Sequence, residues 1–493
     1  MPLRCHCSSW WPAERSMEAA GVRRNDFVSA NRCVKEDRRG RVALRASSRT
    51  FVADAITPIS AFYALAEPGR ACLLESVEGT ERISRYSFLG LDFLAVEAID
   101  GDDRASTLGA LRSLIRRFEV LEREQLAFAG GVVALCSYDL VRALERVGER
   151  LPADAPLPKI YAVVPGTWLV FDHFRHTLTL LGFSREESER AGVEARLAEY
   201  ERRLLWTRPS LPGSFTIAGP LHRSLEREAF LEGVKRAKRA IYEGDVYQLQ
   251  LSIRFDAAAE GEPFDLYRRV RAKNPSPYMF FLDTPYGAVL GASPEFLVRL
   301  DGSTARLRPL AGTRPRHEDP AAEVRVMREL LADPKERAEH VMLVDLARND
   351  LGRVCRYGSV RVDELMAIEK YSHVMHIVSN VEGELRDDRD AVDLFEAAYP
   401  AGTVTGTPKI RAMQIINQLE PVTRGFYAGS VAHFDFDGDM DSCITLRSAH
   451  VRDGRVYFQA AAGIVADSDP ESEYAEVHHK TRIIAETLEI SPW

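Results

Sequence analysis

No stretch of this 493-residue chain approaches the ~18 consecutive apolar residues that a membrane helix requires. No apolar core follows Met1, so a secretory signal is not expected either. Cysteine is scarce: seven residues, at positions 5, 7, 33, 72, 136, 355 and 443, an odd number without zinc-ligand pairs. Cys5 and Cys7 form a CxC with no second pair to accompany it, and reduced thiols in a reducing compartment are the expectation. Excess positive charge is also missing. Residues 1–50 hold 11 Lys and Arg against 5 Asp and Glu, which leaves the remaining body at about −14 and excludes a nucleic-acid-binding body. What is present is ordinary for a globular enzyme, 45% hydrophobic and 9% aromatic, and a cytoplasmic enzyme is the expected class.

Residues 1–46 carry Arg, Ser and Trp without periodicity and read as disordered or as a mis-assigned start, with Met17 a further possible initiator. Globular patterning begins near Ser47. Residues 47–207 alternate short strands, such as Cys72–Ser76 and Gly130–Leu135, with helices predicted at Pro58–Ala66, Leu108–Leu121 and Arg185–Leu205. The Pro/Gly/Ser-rich segment 208–220 predicts a boundary, and residues 221–490 form a second region. That region opens with a helix over Leu225–Glu243 closed by Gly244. Mixed strands with hairpin-length links and separate long helices predict an α+β fold with large mixed or antiparallel sheets.

The densest chemistry lies in Asp333–Asp350, DPKERAEHVMLVDLARND. Asp333 suits an N-cap, Pro334 the first helical position, and Glu336 a capping box. On that helix Glu336, Glu339, His340 and Leu343 share one face. Asp469–Glu476 repeats the device: Asp-Pro, then Glu473 and Glu476 three residues apart. Two such helix starts facing each other would suit a hard divalent cation, and the same residues equally suit two plain capping boxes with solvated Glu side chains.

Pro400–Lys409 is a small-residue loop entering a helix, with Thr407 the expected N-cap. It offers free N–H groups to an anion but lacks the Walker A spacing. Arg447 either holds a carboxylate or is merely exposed on the strand Ile444–Arg447. Lys480 lies one turn after Glu476. His373 and His376 fall on a mostly apolar stretch where a lone His is more often structural.

Taken in order, PLAGTRPR, LVDLARNDLGRV, EKYSHVMHIVS, GTVTGTPK, ITLRSA and AGIVADSDPESEYAE resemble the chorismate-utilising enzymes, and within them the anthranilate synthase component I group, from about Ser47 to the C-terminus. In this family the enzymes that add water to chorismate carry a Lys base where this chain has Gln248. Aminodeoxychorismate synthases typically carry a Lys at Ala311. Both differences favour ammonia as the attacking group and anthranilate with pyruvate as products.

The resemblance implies Mg²⁺ held by Glu339 and Glu476, with Glu336 and Glu473 behind them. It implies chorismate contacts from Gly312, Thr313, Tyr427, Arg447, Ala461, Ala462, Gly463 and Lys480, acid–base work by His376, and polarisation by Thr403. Ser76 in LLES and Pro277, Tyr278 and Met279 in NPSPYM match the family's tryptophan pocket, which implies feedback inhibition. No cysteine sits in a nucleophile elbow, so a separate glutamine amidotransferase subunit (component II) is implied, in a heterotetramer of two large and two small subunits. Three positions depart from the family pattern: Ala461 and Ala428 stand where Gly is usual, as does Ala432-His433-Phe434 where GYF is usual. The alternatives are an aminodeoxychorismate synthase component I and a non-catalytic tryptophan-binding subunit.

Overall fold

A computed structural model of the chain describes residues 40–76, 85–121, 128–206, 214–317, 319–370 and 374–490. Of the expected extension 1–46, residues 1–39 lie outside them, as do residues 208–213 of the 208–220 boundary and His373, whereas residues 42–46 are not disordered but open the strand Val42–Val52. Among the described residues no helix is long and apolar enough to cross a membrane.

The strands join into one ribbon of almost wholly antiparallel pairs. The strand Gln248–Glu260 pairs with Arg455–Ile464, which continues through Ser448–Arg452 and Gly287–Ser293 to Tyr278–Thr284. There the ribbon passes into the N-terminal half through Ala71–Glu75, Tyr86–Ile99, Ile160–Asp172 and Gly131–Cys136. It returns to the C-terminal half at Ser430–Asp435, then runs through Met440–Ile444, Phe296–Asp301 and Thr304–Leu307 to Val374–Glu384. Strands 71–75 and 131–136 are thus completed by partners more than 200 residues away in sequence.

The ribbon folds on itself around one apolar core and buries its outer face under helices around a second. The Tyr278–Thr284 strand shows the division, with Phe280 and Leu282 in the inner core and Met279 and Phe281 in the outer one. Burial on both faces explains its nearly continuous apolar run. The outer core takes the helices Arg227–Tyr242, Pro263–Lys273 and Pro470–Thr487 through side chains such as Phe230, Phe264 and Val477. The described cysteines at 72, 136, 355 and 443 are buried free thiols.

Several boundaries differ from the sequence expectations. The 108–121 helix spans Arg104–Arg116, because Asp103 caps it by accepting from the Ser106 N–H, and a strand, Phe118–Val120, follows. Stretch 368–381, apolar enough for a helix, belongs to the hairpin Arg361–Lys370 and Val374–Glu384, so His376 sits on a strand. The expected strand at 444–447 stops at Ile444, and Arg447 occupies the connection at φ +46°.

Candidate active site

Two helix starts and two central strands meet at the site. The helix Pro334–Gly352 is capped by Asp333, whose carboxylate accepts from the Lys335 and Glu336 N–H groups. The capping box is not completed, because the Glu336 side chain turns outward to Arg314 Nη1 at 2.9 Å. Arg314 also reaches Asp333 at 3.2 Å, so the Arg of PLAGTRPR fixes the helix start against its own strand. The helix Pro470–Thr487 is capped by Asp469 through Ser472 N–H, and its Glu473 is buried.

Four carboxylates therefore gather near the mouth. Desolvation first, then Glu336 and Glu476, raises the Glu339 carboxyl above its ordinary value, and desolvation with Glu476 does the same for Glu473. Mutual perturbation of this kind requires proximity. Lys480 Nζ lies 2.6 Å from Glu476 and 2.9 Å from the Ala461 carbonyl, which it bridges. Gln248 Nε2 donates to Glu339 Oε1 at 3.2 Å, with no amine in its place. Among the described residues no three His, Cys, Asp or Glu side chains converge as a complete cage. A cluster of oxygen donors that repel one another still fits Mg²⁺, which keeps waters and needs only one or two carboxylates.

The floor is made of small residues. Gly463 stands opposite Gln250, and a Cβ there would come within 2.9 Å of the Gln248 and Gln250 amides. Ala461 stands opposite Ser252 on the same face, in extended strand, so its extra methyl meets no backbone strain. Ala462 is different. Its methyl is buried in the outer core, and only its backbone is available to a ligand. Gly312 takes φ +63° and leaves no room for a side chain beside Glu336, Leu330 and Ile377.

Beside Gly312, Thr313 pairs with His376 across the strands. Burial holds the His376 imidazole down to about 4, helped by nearby Arg447 and opposed by a hydrogen bond to the Gly312 backbone, so it is neutral at pH 7. Tyr427 is buried and hydrogen-bonded to the Ala461 backbone.

At the far end Thr403 Oγ1 donates to Glu295 Oε1 at 2.9 Å. Desolvation pushes the Glu295 carboxyl up to about 7, against the pull of Thr403 and Lys480. Its remaining accessible surface faces a solvent-open cavity lined by Leu343, Leu346, Asp350, Gly402 and Thr403, which does not extend to the four carboxylates. The anion site expected at the 400–409 loop is largely filled from within. Pro408 rather than Thr407 is the N-cap, and Lys409 is bound to Asp350 at 2.9 Å and to the Ala398 carbonyl at 3.0 Å. Glu295 was not singled out from sequence, because Ser293-Pro294-Glu295 reads as an ordinary strand end and Thr403 is 108 residues away.

The remaining residues are those of the implied tryptophan pocket, with Arg447. Met279 pairs with Glu75, which brings Ser76 level with Tyr278 on neighbouring strands. The Ser76 hydroxyl is buried and has no hydrogen-bond partner among the described residues. Tyr278 and Met279 point to opposite faces of their strand, so their side chains cannot line one pocket together, and the Tyr278 hydroxyl is already held by Asp441 at 3.0 Å. Pro277 is buried at the strand entry. Arg447 reaches Asn274 of the same NPSPYM turn at 3.4 Å.

Residues 70–486 match the model of the chorismate binding enzyme family, and the chain belongs to that family. It is 45% identical to the anthranilate synthase component 1 of Thermus thermophilus over 91% of this chain and 98% of that one. The protein of the same name from Acinetobacter calcoaceticus is 41% identical over 90% and 95%. The crystal structure of anthranilate synthase component I from Streptococcus pneumoniae superposes with a TM-score of 0.75 at 31% identity, covering 88% of this chain and 98% of that one. The menaquinone-specific isochorismate synthase of Escherichia coli, at 20% identity and a TM-score of 0.71 over 91% and 95%, shares the fold.

Proposed function

We propose that this chain is an anthranilate synthase component 1, which converts chorismate and ammonia to anthranilate, pyruvate and water. The observation that carries the reading is the neutral Gln248 amide, placed on Glu339 where an amine base would activate water. Ala311, on the Leu310–Pro315 strand, supplies no amine either. Ammonia, itself nucleophilic, is then the attacking group at C2 of the ring.

Arg447 takes a substrate carboxylate by charge-assisted hydrogen bonds. Glu295, half protonated near neutrality, donates a proton to the departing C4 hydroxyl, and Thr403 on its other oxygen fixes which oxygen carries that proton. His376, neutral at pH 7, accepts the ring proton in the second stage, where pyruvate leaves and the ring becomes aromatic. Glu339 and Glu476 would hold Mg²⁺, with Glu336 and Glu473 behind, and such an ion, when bound, neutralises a substrate carboxylate as a Lewis acid. A second component of the glutamine amidotransferase class supplies the ammonia, in an assembly of two large and two small subunits.

The test is product fluorescence from the purified chain with chorismate, Mg²⁺ and ammonium salt, without glutamine. Equal amounts of anthranilate and pyruvate are expected. An aminated chorismate without pyruvate would make the chain an aminodeoxychorismate synthase, and no turnover by folded protein would make it a binding subunit. A second reading, tryptophan bound beside Ser76, is favoured by that residue's buried, unpartnered hydroxyl. It is lost if millimolar tryptophan leaves the rate unchanged.

A further inference from the structure

Three segments of the site are separate in sequence: the loop carrying Thr403, the strand carrying Gln248, and the turn carrying Tyr427. One side chain touches all three. Arg424, about 1% exposed, donates from Nη1 to the Val404 carbonyl at 2.6 Å and from Nη2 to the Gln250 carbonyl at 2.8 Å. Its guanidinium carbon stands 5.8 Å from the centre of the Tyr427 ring and 5.0 Å from that of Tyr138. Glu420 balances the charge, accepting from Arg424 Nε at 2.9 Å and Nη2 at 2.8 Å.

The carboxylate then extends the network along the strand. Glu420 Oε1 accepts from the Ser252 N–H at 2.9 Å and its hydroxyl at 2.5 Å, and Gln459 Nε2 donates to that hydroxyl at 2.7 Å. Ser252 and Gln459 belong to the two strands that form the floor.

A buried ion pair is a poor way to add stability, because desolvation offsets most of its attraction and an apolar pair of similar size often serves as well. What a guanidinium adds is geometry: a rigid fork that fixes several acceptors at once. Here the acceptors are the carbonyl next to Thr403 and the carbonyl two residues beyond Gln248.

We propose that Arg424 is a positioning residue for the reaction, which through Val404, Gln250 and Tyr427 sets Thr403 and Gln248 in register with each other. It touches no reacting atom. The role rests on the chorismate reading above.

The experiment uses the full chain with Arg424→Met and Glu420→Gln together, which removes both charges and keeps the acceptor for Ser252. Thermal unfolding within a few degrees of wild type is expected, with kcat for anthranilate from chorismate and ammonium lower by roughly tenfold to a hundredfold. The same double change is then placed on Thr403→Ala. A residue that acts through Thr403 gives a much smaller loss there, since the two share one effect.

Four outcomes overturn the role. One is a folded variant with wild-type kcat. Another is a loss that simply adds to that of Thr403→Ala. The third is failure of the variant to fold, which would make the pair a prop of the fold. An inactive wild-type chain overturns the chorismate reading and this role with it, whereas an active wild type beside an unaffected variant removes the role alone.

Discussion

The two ends of the candidate site are held in opposite ways. At the mouth, Glu336, Glu339, Glu473 and Glu476 stand on the first two turns of two helices, where Glu336 pairs with Arg314 and Glu476 with Lys480, both partly exposed cations. At the far end, Thr403 donates to Glu295, and the neighbouring Val404 carbonyl is held by Arg424, which with Glu420 is nearly without exposure. Exposed pairs of the first kind contribute little and rearrange readily. Buried networks are costly to disturb. On the proposed function, the mouth would exchange Lys480 for a cation and substrate, while the far end would keep a fixed geometry for proton transfer.

The largest effect that would test this contrast is at the mouth. Glu339→Gln should lower turnover about a hundredfold or more, the scale of losing a charge-assisted contact. An Mg²⁺ titration followed by anthranilate fluorescence should show a right-shifted or absent response. Unchanged Mg²⁺ dependence would remove Glu339 from the metal.

At the far end, Glu295→Gln should lower kcat by roughly a hundredfold, as expected for loss of a general acid. The sign of the pH effect is set by the raised carboxyl. Glu295 is protonated below about 7, so kcat/KM should fall as pH rises through that value in the wild type and lose this fall in the variant. Because the folded carboxyl holds its proton to about 7 against an ordinary 4.5, ionising it withdraws stability across that window. The variant should accordingly gain in melting temperature, relative to wild type, at pH 8 but not at pH 4.

Away from both ends, Ser76→Leu should fill the space around the unpartnered hydroxyl. The tryptophan concentration for half-inhibition should rise about tenfold or more with kcat little changed, the scale of one typical coupling free energy. Equal sensitivity in both proteins would place any inhibitor elsewhere. The smallest effect concerns Ala428, which takes φ +59° where the family usually has Gly. Ala428→Gly should stabilise by about 1 kcal/mol, the scale of relieving a left-handed Cβ, and raise the melting temperature by about 1 °C.

Local devices were legible from the sequence. Asp333 and Asp469 cap their helices, Gly244 closes the helix before Gln248 at φ +82°, and Glu476 of one helix start is close enough to raise the Glu339 carboxyl of the other. The α+β class followed from hairpin-length links. What was not legible depends on distant partners. The 374–381 run is apolar because both faces of its strand are covered, and nothing local tells that from a buried helix. Arg447 left its strand because Ile444 ends the pairing. The loop entering the 409–419 helix offered its N–H groups to an anion, and nothing local showed that Lys409 there would be held by Asp350, 59 residues away. Nothing local in the sequence marks Arg424 and Glu420, and their importance appears only once the Val404 and Gln250 carbonyls converge on Arg424.

The ribbon also bears on how the chain is made. During synthesis the strand Ala71–Glu75 has no partner on its far side until Tyr278–Thr284 emerges, and Gly131–Cys136 waits for Ser430–Asp435. For most of translation, apolar strands with open edges must be kept from pairing with other chains. Folding of so non-local a sheet is slow, and the danger of misassembly is greatest just before residue 435 is reached. Fragments cut between the two halves would strand both edges permanently, so aggregation rather than two independent domains is what such truncations should yield.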